Sequence, residues 1–333
     1  MGLKEYIAKR IVYSIILIFA VLTVNFLIFA MLPGDPLRMY MARVETHTTH
    51  EQYLMLRQQL GLDRPLHLRY IEYMIRMITW NFGNGMIGGG VSVTQQIMER
   101  LPNTLILLGL ESVFSIIIGI LIGVLVAHKR GGWFDTATVT GSLITYSVPI
   151  FFIGWLMIFF FAVQLKWFPL GGIQPQSWGR HPPTNALQYL AGRISCLVLP
   201  TVTLFLFSVG GWILLARACV LETITEDYVV TARAKGLKET TVLYKHVLKN
   251  ASLPLITSVA MTFGFLISGA IITETLFDYS GMGLLIWEAL RGGPAPDLPV
   301  LQAIFYVIAL CVIIANFIAD LLYGVIDPRI KYG

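Results

Sequence analysis

The first candidates for chemistry are the few ionisable side chains that stand inside long apolar stretches of the sequence. Glu111 lies well within one such stretch, whereas Glu274 and Asp320 lie near the ends of two others. A carboxyl group among apolar residues can carry a proton or line a polar pathway. The alternative is a hydrogen-bonded or protonated side chain that faces the interior of a helix bundle. Water or a basic neighbour can satisfy Glu274 and Asp320, and Arg217 can extend its guanidinium to an interface.

The sequence contains no set of residues that matches a familiar catalytic motif. It contains no G-x-x-x-x-G-K-[ST] phosphate-binding loop, no H-E-x-x-H zinc motif and no G-x-S-x-G elbow. The histidines are scattered, and Cys196, Cys219 and Cys311 are too far apart for a close ligand pair or a disulfide framework. We therefore expect no catalytic residue, no bound metal and no cofactor, and a membrane-embedded enzyme is disfavoured.

The composition indicates that membrane-spanning helices position these residues. Of the 333 residues, 56% are hydrophobic and only 13% are charged, with a mean hydropathy of +0.72. Soluble domains carry roughly 25% charged residues. The net charge of +5 is not gathered in a polar segment with interleaved aromatic residues, so we expect no nucleic-acid partner.

Apolar runs long enough to cross a bilayer predict an all-α integral membrane protein with six transmembrane helices. Pro149 falls inside the third run, where it should kink or break the helix. The runs cover residues 11–31, 103–127, 136–165, 194–221, 255–277 and 300–323.

A long polar insertion separates the first two runs. It divides the chain into residues 1–95, the first helix with a helical cap on the extracytoplasmic side, and residues 96–325, the transmembrane domain. The cap either packs on the membrane face or forms a docking surface for a partner, and the sequence leaves both open. Its two amphipathic patterns pass through Tyr53, Leu56 and Leu60, and then through Leu66, Tyr70, Tyr73 and Met77.

Basic residues predict the orientation of the helices in the membrane. If the N-terminus is inside, Lys129 and Arg130 fall in a tight cytoplasmic turn. The same choice places a group of basic residues in the loop after the fourth helix, and Arg329 and Lys331 in the C-terminal tail. Because Lys and Arg accumulate on the cytoplasmic side of membranes, both termini are predicted to be cytoplasmic.

The most informative polar segment is the loop of residues 225–254. Asp227 can begin a short helix, and Gly236 suits the C-terminal end of that helix. A second amphipathic stretch, Glu239–Lys249, then leads to Pro254 at the start of the next membrane helix.

One face of the short helix carries Val229, Ala232 and Gly236, which are small enough to let another protein approach closely. Arg233 and Lys235 lie beside this face and offer charged contacts. Periodicity alone indicates a basic helix at a membrane interface, and docking of a partner is one of the roles open to such a helix.

The loop resembles the EAA loop of binding-protein-dependent ABC importer permeases. Within that family it is most similar to the oligopeptide/dipeptide branch, whose loop typically reads D-Y-V-x-T-A-R-A-K-G-L, and residues 227–237 read DYVVTARAKGL. Val230-Thr231-Ala232 stands where the generic loop has Glu-Ala-Ala, which is usual for this branch. Other familiar strings are LPGDP at 32–36, LGLDRPL at 60–66, RLPNTL at 100–105, ETLF at 274–277, GMG at 281–283, DLLY at 320–323 and DPR at 327–329.

The resemblance implies the type I ABC importer (MetI-like) permease fold, with no ATPase site in this chain. It implies half of a translocation pathway for peptides or a related small solute in a prokaryotic plasma membrane. The implied partners are a second homologous permease, one or two ATPase subunits that bind the ATP, an extracytoplasmic solute-binding protein and membrane lipid. The implied coupling residues are Asp227, Tyr228, Thr231, Ala232, Arg233, Ala234, Lys235, Gly236, Leu253 and Pro254.

The residues of the pathway are less well defined by the sequence, and the candidates for a pathway or gating role are Glu111, Pro149 and Glu274. A second hypothesis is an ion- or proton-coupled carrier in which Glu111 is the proton site. Inverted repeats would favour such a carrier, and the sequence has no convincing internal symmetry. The solute stays open among dipeptides, oligopeptides, oligosaccharides, nickel chelates and glutathione.

Overall fold

Helices form nearly all of the regular structure in the computed structural model of the chain. The model describes residues 3–31, 54–55, 57–58, 63–85, 90–265, 270–293 and 296–326. Within those ranges there is no β-strand, and Asn84 and Ser92 form an isolated bridge.

The helices follow the apolar runs closely, because in lipid a helix satisfies its own backbone hydrogen bonds. A π-helix over Ile158–Gln164 continues the helix Ile150–Met157, and a 3₁₀ turn follows at Gln176–Gly179. The short helix Glu239–Thr241 and a π-helix over Val242–Val247 lead into the helix Leu248–Phe265. In chain order the helices are α1 (Leu3–Ala30), α2 (Leu66–Ile78), α3 (Val93–His128), α4 (Trp133–Ser147), α5 (Ile150–Met157), α6 (Ala186–Thr223), α7 (Asp227–Ala234), α8 (Leu248–Phe265), α9 (Ile271–Leu276), α10 (Met282–Arg291) and α11 (Leu298–Ile326).

Within the described residues, four helices, α1, α3, α6 and α11, are long and apolar enough to cross a membrane, and they correspond to four of the predicted runs. The helices extend past the predicted limits because hydropathy marks only the part that lies in lipid. For example, α3 begins at Val93 rather than at residue 103, and α6 begins at Ala186 rather than at residue 194. The run at 255–277 includes residues 266–269, which lie outside the described residues, so the total of six stays a prediction.

Pro149 breaks the run at 136–165, as its position predicted. The helices on its two sides, Trp133–Ser147 and Ile150–Gln164, meet at an angle of 97°. Pro149 has no N–H to continue α4, and its carbonyl instead accepts hydrogen bonds from the N–H groups of Phe152 and Ile153 in the first turn of α5. The pair is therefore either one broken span or a re-entrant loop, which together with α1, α3, α6 and α11 gives four or five spans in the part of the chain that the structure describes.

The chain divides into two compact units. The first falls within Met1–Thr104, Ile267–Ile271 and Ser280–Gly333, and in it α1 packs along α11. Asp320 near the end of α11 pairs with Arg10 near the start of α1, at 2.5 Å between carboxylate and guanidinium. The predicted basic neighbour of Asp320 is thus confirmed. The core of this unit includes the fully buried Leu22, Ile97, Met282, Leu285 and Ile304.

Helix α2 belongs to the same unit and corresponds to the second amphipathic pattern of the polar insertion. Tyr73 and Met77 are buried and Tyr70 is half-buried, as the pattern predicted, whereas Leu66 at the start of the helix is exposed. The first pattern, through Tyr53, Leu56 and Leu60, lies outside the described residues.

The second unit falls within Leu105–Leu266 and Ile272–Tyr279, and α6 is its central helix. Helices α4, α5 and α8 pack against α6. The candidate functional site lies in this unit, around the end of α6 and the loop that follows it.

Candidate functional site

The loop after α6 folds into the short helix α7, which begins at Asp227 as the sequence predicted. The hydroxyl of Thr231 donates to the carbonyl of Asp227, and the N–H of Lys235 donates to the carbonyl of Thr231. Gly236 then ends the helix with a φ of +72°. That left-handed conformation favours glycine, so the predicted position of Gly236 is confirmed and has a local backbone cause.

Val229 and Ala232 attach α7 to the rest of the unit. Val229 is fully buried and Ala232 is 5% exposed. Both belong to an apolar group, here called the loop cluster, to which four other helical segments contribute. The other buried members of the loop cluster are Val124, Ala127, Ala216, Cys219, Val220, Val242, Leu243, Val247, Ala251 and Leu255.

This packing changes the expected docking face of α7. The sequence suggested that Val229, Ala232 and Gly236 face a partner, but the side chains of Val229 and Ala232 are covered by this chain. Their small size serves close packing within the loop cluster. The opposite side, here called the outer face of α7, carries Asp227, Val230, Thr231 and Ala234, all of which are exposed.

The outer face is partly apolar. Val230 is 58% exposed, although its neighbour Val229 is fully buried. Tyr228 and Lys235 are exposed beside the outer face, and Leu237 and Tyr244 add apolar surface on the adjoining segments. Sequence reasoning did not single out Val230 as exposed, although its spacing from Asp227 and Ala234 is that of one helical face.

Arg233 is held by its own chain. Its Nη2 lies 2.7 Å from Oε1 of Glu239 and its Nε lies 3.3 Å from Oε2, and His128 at the end of α3 lies 3.9 Å from the same carboxylate. The Arg233 guanidinium lowers the pKa of Glu239. A lowered carboxyl pKa means that the pair stabilises the loop at neutral pH and loses this effect as the pH falls through that pKa.

Asp135 and Arg217 form a second ionic contact in this region. Oδ1 of Asp135 accepts from Nε of Arg217 at 2.7 Å, and Oδ2 accepts from Nη2 at 3.0 Å and from the N–H of Gly131 at 2.9 Å. Arg217 was expected to extend its guanidinium to an interface, and the structure shows that a carboxylate in the first turn of α4 holds this guanidinium. Sequence reasoning missed Asp135, for which the signal was an acidic residue in the first turn of a helix.

Small residues bring α3 and α6 into close contact. A Cβ atom built on Gly119 would lie 2.4 Å from Cβ of Trp212, and one on Gly123 would lie 2.6 Å from Cβ of Ala216. Gly119 and Gly123 form a G-x-x-x-G pattern, which is a known sequence signal for close helix packing in membranes.

Glu111 lies farther along the same contact between α3 and α6. Its side chain is 7% exposed, and it accepts hydrogen bonds from the hydroxyl groups of Ser208 on α6 and Ser112 on α3. The structure therefore agrees with the interpretation of Glu111 as a hydrogen-bonded side chain in the bundle interior.

The remaining predicted residues do not gather around Glu111 or α7. Pro149 is exposed at the start of α5, and Glu274 is fully buried. Pro254 lies inside α8 rather than at its start. Leu253 lies in the same helix, and its side chain is outside the described residues.

Two protein-family models match the chain. One, described as the inner membrane component of binding-protein-dependent transport systems, matches residues 119–332, and the other, for the N-terminal part of such a component, matches residues 3–108. The chain belongs to this permease family. The resemblance that rested on residues 227–237 is thus confirmed along nearly the whole chain.

Three relatives show which kind of ABC transporter permease the chain is similar to. It is 35% identical to the probable peptide ABC transporter permease protein y4tP of Sinorhizobium fredii over 98% of this chain and 99% of the relative. It is 33% identical to the oligopeptide transport system permease protein AppB of Bacillus subtilis, over 99% and 100%. It is 32% identical to the di/tripeptide transport system permease protein DppB of Pseudomonas aeruginosa, over 98% and 99%.

A solved structure confirms the predicted fold. The MetNI methionine ABC transporter in an inward-facing conformation matches with a TM-score of 0.54 at 17% identity, over 70% of this chain and 97% of the matched chain. The permease therefore has the type I ABC importer fold, and it functions as a permease subunit of an ABC importer rather than as a secondary carrier.

Proposed function

We propose that this permease forms one half of the translocation pathway of an importer for peptides or a related small solute. Its partners are a second homologous permease, one or two ATPase subunits and an extracytoplasmic solute-binding protein. The ATPase subunits bind the ATP, and this chain has no ATPase site of its own. The proposal rests on the exposed outer face of α7, a partly apolar helix surface carried by a firmly packed base.

The base of α7 explains how a partner's movement reaches the membrane helices. Val229 and Ala232 are buried in the loop cluster, which also includes residues of α3, α6 and α8. Densely packed side chains transmit displacement because they do not compress. A force on the outer face therefore moves these helices together rather than bending α7 away from them, and such rigid movement can switch a transporter between two packed states.

Two ion pairs of this region also help to transmit movement from α7 to the membrane helices. Arg233 and Glu239 fix α7 to the segment that leads into α8, and Asp135 and Arg217 join α4 to α6. We infer that the ATPase contacts Tyr228, Thr231, Ala234 and Lys235 directly, whereas Ala232 and Arg233 position α7. This division refines the coupling set that the resemblance implied.

The solute is proposed from the named relatives, which are permeases of peptide, oligopeptide and di/tripeptide systems. The solute-binding protein would select among related solutes before they reach the permease. The membrane is the prokaryotic plasma membrane, and the outer face of α7 and both termini are on its cytoplasmic side.

The test is a substitution that adds bulk to the outer face without disturbing the loop cluster. In the complex reconstituted in vesicles with its partner subunits, Ala234→Trp should abolish peptide-stimulated ATP hydrolysis and ATP-dependent uptake of a short peptide. The reason is that the indole would hold the ATPase surface away from α7. Membrane insertion and thermal stability of the permease should stay unchanged, because Ala234 is exposed.

Thr240→Trp is the matched control, since Thr240 is also exposed in the loop but lies outside α7. It should retain both activities. Normal coupling in the Ala234→Trp complex would refute the proposed docking face. Uptake of an oligosaccharide but not of a peptide by the unmodified complex would refute the proposed solute and leave the ATPase contact intact.

A further inference from the structure

Helix α2 has three distinct faces, although a helix that caps a soluble surface needs only two. Side chains turn by about 100° from one residue to the next in an α-helix. Tyr70, Tyr73, Met74 and Met77 form the face that packs into the unit, and Tyr73, Met74 and Met77 are buried. The second face is charged, and the third is apolar and exposed.

The exposed apolar face consists of four large aliphatic side chains. Leu68, Ile71, Ile75 and Ile78 are 44%, 51%, 56% and 55% exposed. Their positions follow the three- and four-residue spacing of a single helical stripe. A contiguous stripe of this kind is unfavourable in water and indicates a surface that another apolar phase covers.

Two hydrogen bonds fix the depth of α2 relative to α1. The hydroxyl groups of Tyr70 and Thr23 lie 2.8 Å apart, and Nδ2 of Asn25 donates to the hydroxyl of Tyr73 at 3.0 Å. Thr23 and Asn25 precede the last residue of α1, Ala30, by seven and five residues. At 1.5 Å per residue, α2 therefore lies about 8–10 Å inside the end of this membrane-spanning helix.

The charged face has the composition expected next to lipid headgroups. Arg64 pairs with Glu72, and Arg69 and Arg76 lie on the same side of the helix. Trp80 follows just beyond the end of α2 and is 36% exposed. Amphipathic helices that lie in a membrane interface combine an aliphatic face with a basic one, and tryptophan is enriched at the same level.

The neighbouring surface of α1 indicates which apolar phase covers α2. Val24, Leu27 and Ile28 in the last two turns of α1 are 55%, 42% and 57% exposed. These side chains belong to a candidate membrane span, so lipid accounts for their exposure, and α2 is hydrogen-bonded to the same part of α1. A water-soluble partner would have to enter the membrane to reach the stripe of Leu68, Ile71, Ile75 and Ile78.

We propose that α2 lies in the plane of the membrane interface as a lipid-binding helix. The stripe of Leu68, Ile71, Ile75 and Ile78 contacts acyl chains, and Arg69 and Arg76 bind lipid phosphates. The helix is thus a lateral anchor for the polar insertion and not a docking site for the solute-binding protein. This inference does not depend on the proposed solute or on the ATPase contact.

Spin labels on α2 test this arrangement in the assembled complex. A cysteine-free complex carrying Ile71→Cys or Ile75→Cys is labelled and placed in nanodiscs of phosphatidylethanolamine and phosphatidylglycerol. Both labels should be relaxed strongly by oxygen, which concentrates in acyl chains, and weakly by a water-soluble nickel chelate. Arg76→Cys is the matched control on the charged face, and its label should show the reverse preference.

Three outcomes would overturn the proposal. Strong relaxation of the Ile71 and Ile75 labels by the nickel chelate would place the stripe in water. Exclusion of both reagents would mean that a protein subunit covers it, and access that disappears when the solute-binding protein is added would assign it to that partner. If labelling prevents assembly, crosslinking of the unlabelled complex by a phospholipid with a photoreactive acyl chain should modify α2, and no modification there would contradict the proposal.

Discussion

Asp135 on α4 and Arg217 on α6 join two membrane helices close to the loop that connects α6 to α7. The side chain of Asp135 is 7% exposed and that of Arg217 is 25% exposed, so both charges are largely removed from water. Removal of one member leaves the other charge without its partner, which costs more than the pair itself contributes. The two residues should therefore behave as a unit.

The prediction at this scale is a strong coupling between Asp135→Asn and Arg217→Gln. Each single change should lower the free energy of unfolding by clearly more than an exposed surface substitution does, because it leaves a partly buried charge unpaired. The double variant should lose less than the sum of the two. Unfolding of the purified permease by sodium dodecyl sulfate measures the three values.

Arg180→Gln is the control for this cycle, since Arg180 is an exposed cation of the same unit. It should change stability by less than about 0.5 kcal/mol. Additive effects of Asp135→Asn and Arg217→Gln would show that the two side chains act independently.

Individual residues also show what the sequence was able to predict of the site. The limits of α7 were predictable because Asp227 and Gly236 have local preferences that tertiary contacts do not change. The division of α7 into faces was not predictable, because Ala232 is equally suited to pack within its own chain or against a partner. The partner of Arg217 was not predictable either, because Asp135 is distant in the sequence.

At the scale of helices, the contact between α3 and α6 depends on the absence of side chains. Gly119 and Gly123 let Trp212 and Ala216 approach α3 to a distance at which no Cβ atom fits. In lipid there is no hydrophobic force between helices, so close van der Waals packing has to hold them together. The hydrogen bond between Ser208 and Glu111 adds a polar contact to the same pair of helices.

We expect Gly123→Ala to destabilise the permease by about 1–3 kcal/mol, because the added methyl group overlaps Ala216 and has no space to move into. Gly109→Ala is the matched control in the same helix, since a Cβ atom there has nothing within 4 Å. It should be neutral or stabilising by up to about 1 kcal/mol, as alanine favours the helix. Thermal unfolding in detergent compares the two, and equal effects would argue against close packing at Gly123.

The helices themselves were largely predictable, because long apolar runs leave little alternative to a membrane span. The break at Pro149 followed from the missing N–H of proline. The 97° angle did not, since it depends on how α4 and α5 pack against α6. The G-x-x-x-G pattern of α3 was present in the sequence, but its partner helix was not evident from it.

For the whole molecule, the bent pair of α4 and α5 determines the topology. If the pair crosses the membrane, the loop that contains α7 lies on the same side as the start of α1. If the pair is a re-entrant loop, α6 runs in the opposite direction and α7 lies on the other side. The coupling role proposed for α7 requires the first arrangement, since ATP is available only in the cytoplasm.

Cysteine accessibility should distinguish the two topologies. Gly179→Cys should react with a membrane-impermeant maleimide in intact cells, whereas Lys9→Cys and Lys238→Cys should react only in inverted membrane vesicles. All three positions are exposed. The native Cys196, Cys219 and Cys311, which are buried or half-buried, are replaced beforehand. Labelling of Lys238→Cys from outside the cell would show that the bent pair does not cross the membrane.

The π-helical segment Val242–Val247 affects how well this loop tolerates the loss of a residue. A π-turn accommodates an additional residue within a helix while the helical segments on either side keep their directions. A shorter sequence that lacks one residue of this segment can therefore form an ordinary α-helix there and still bury Val229 and Ala251 in the loop cluster. Deletion of a single residue should thus be tolerated better in Val242–Val247 than in α7.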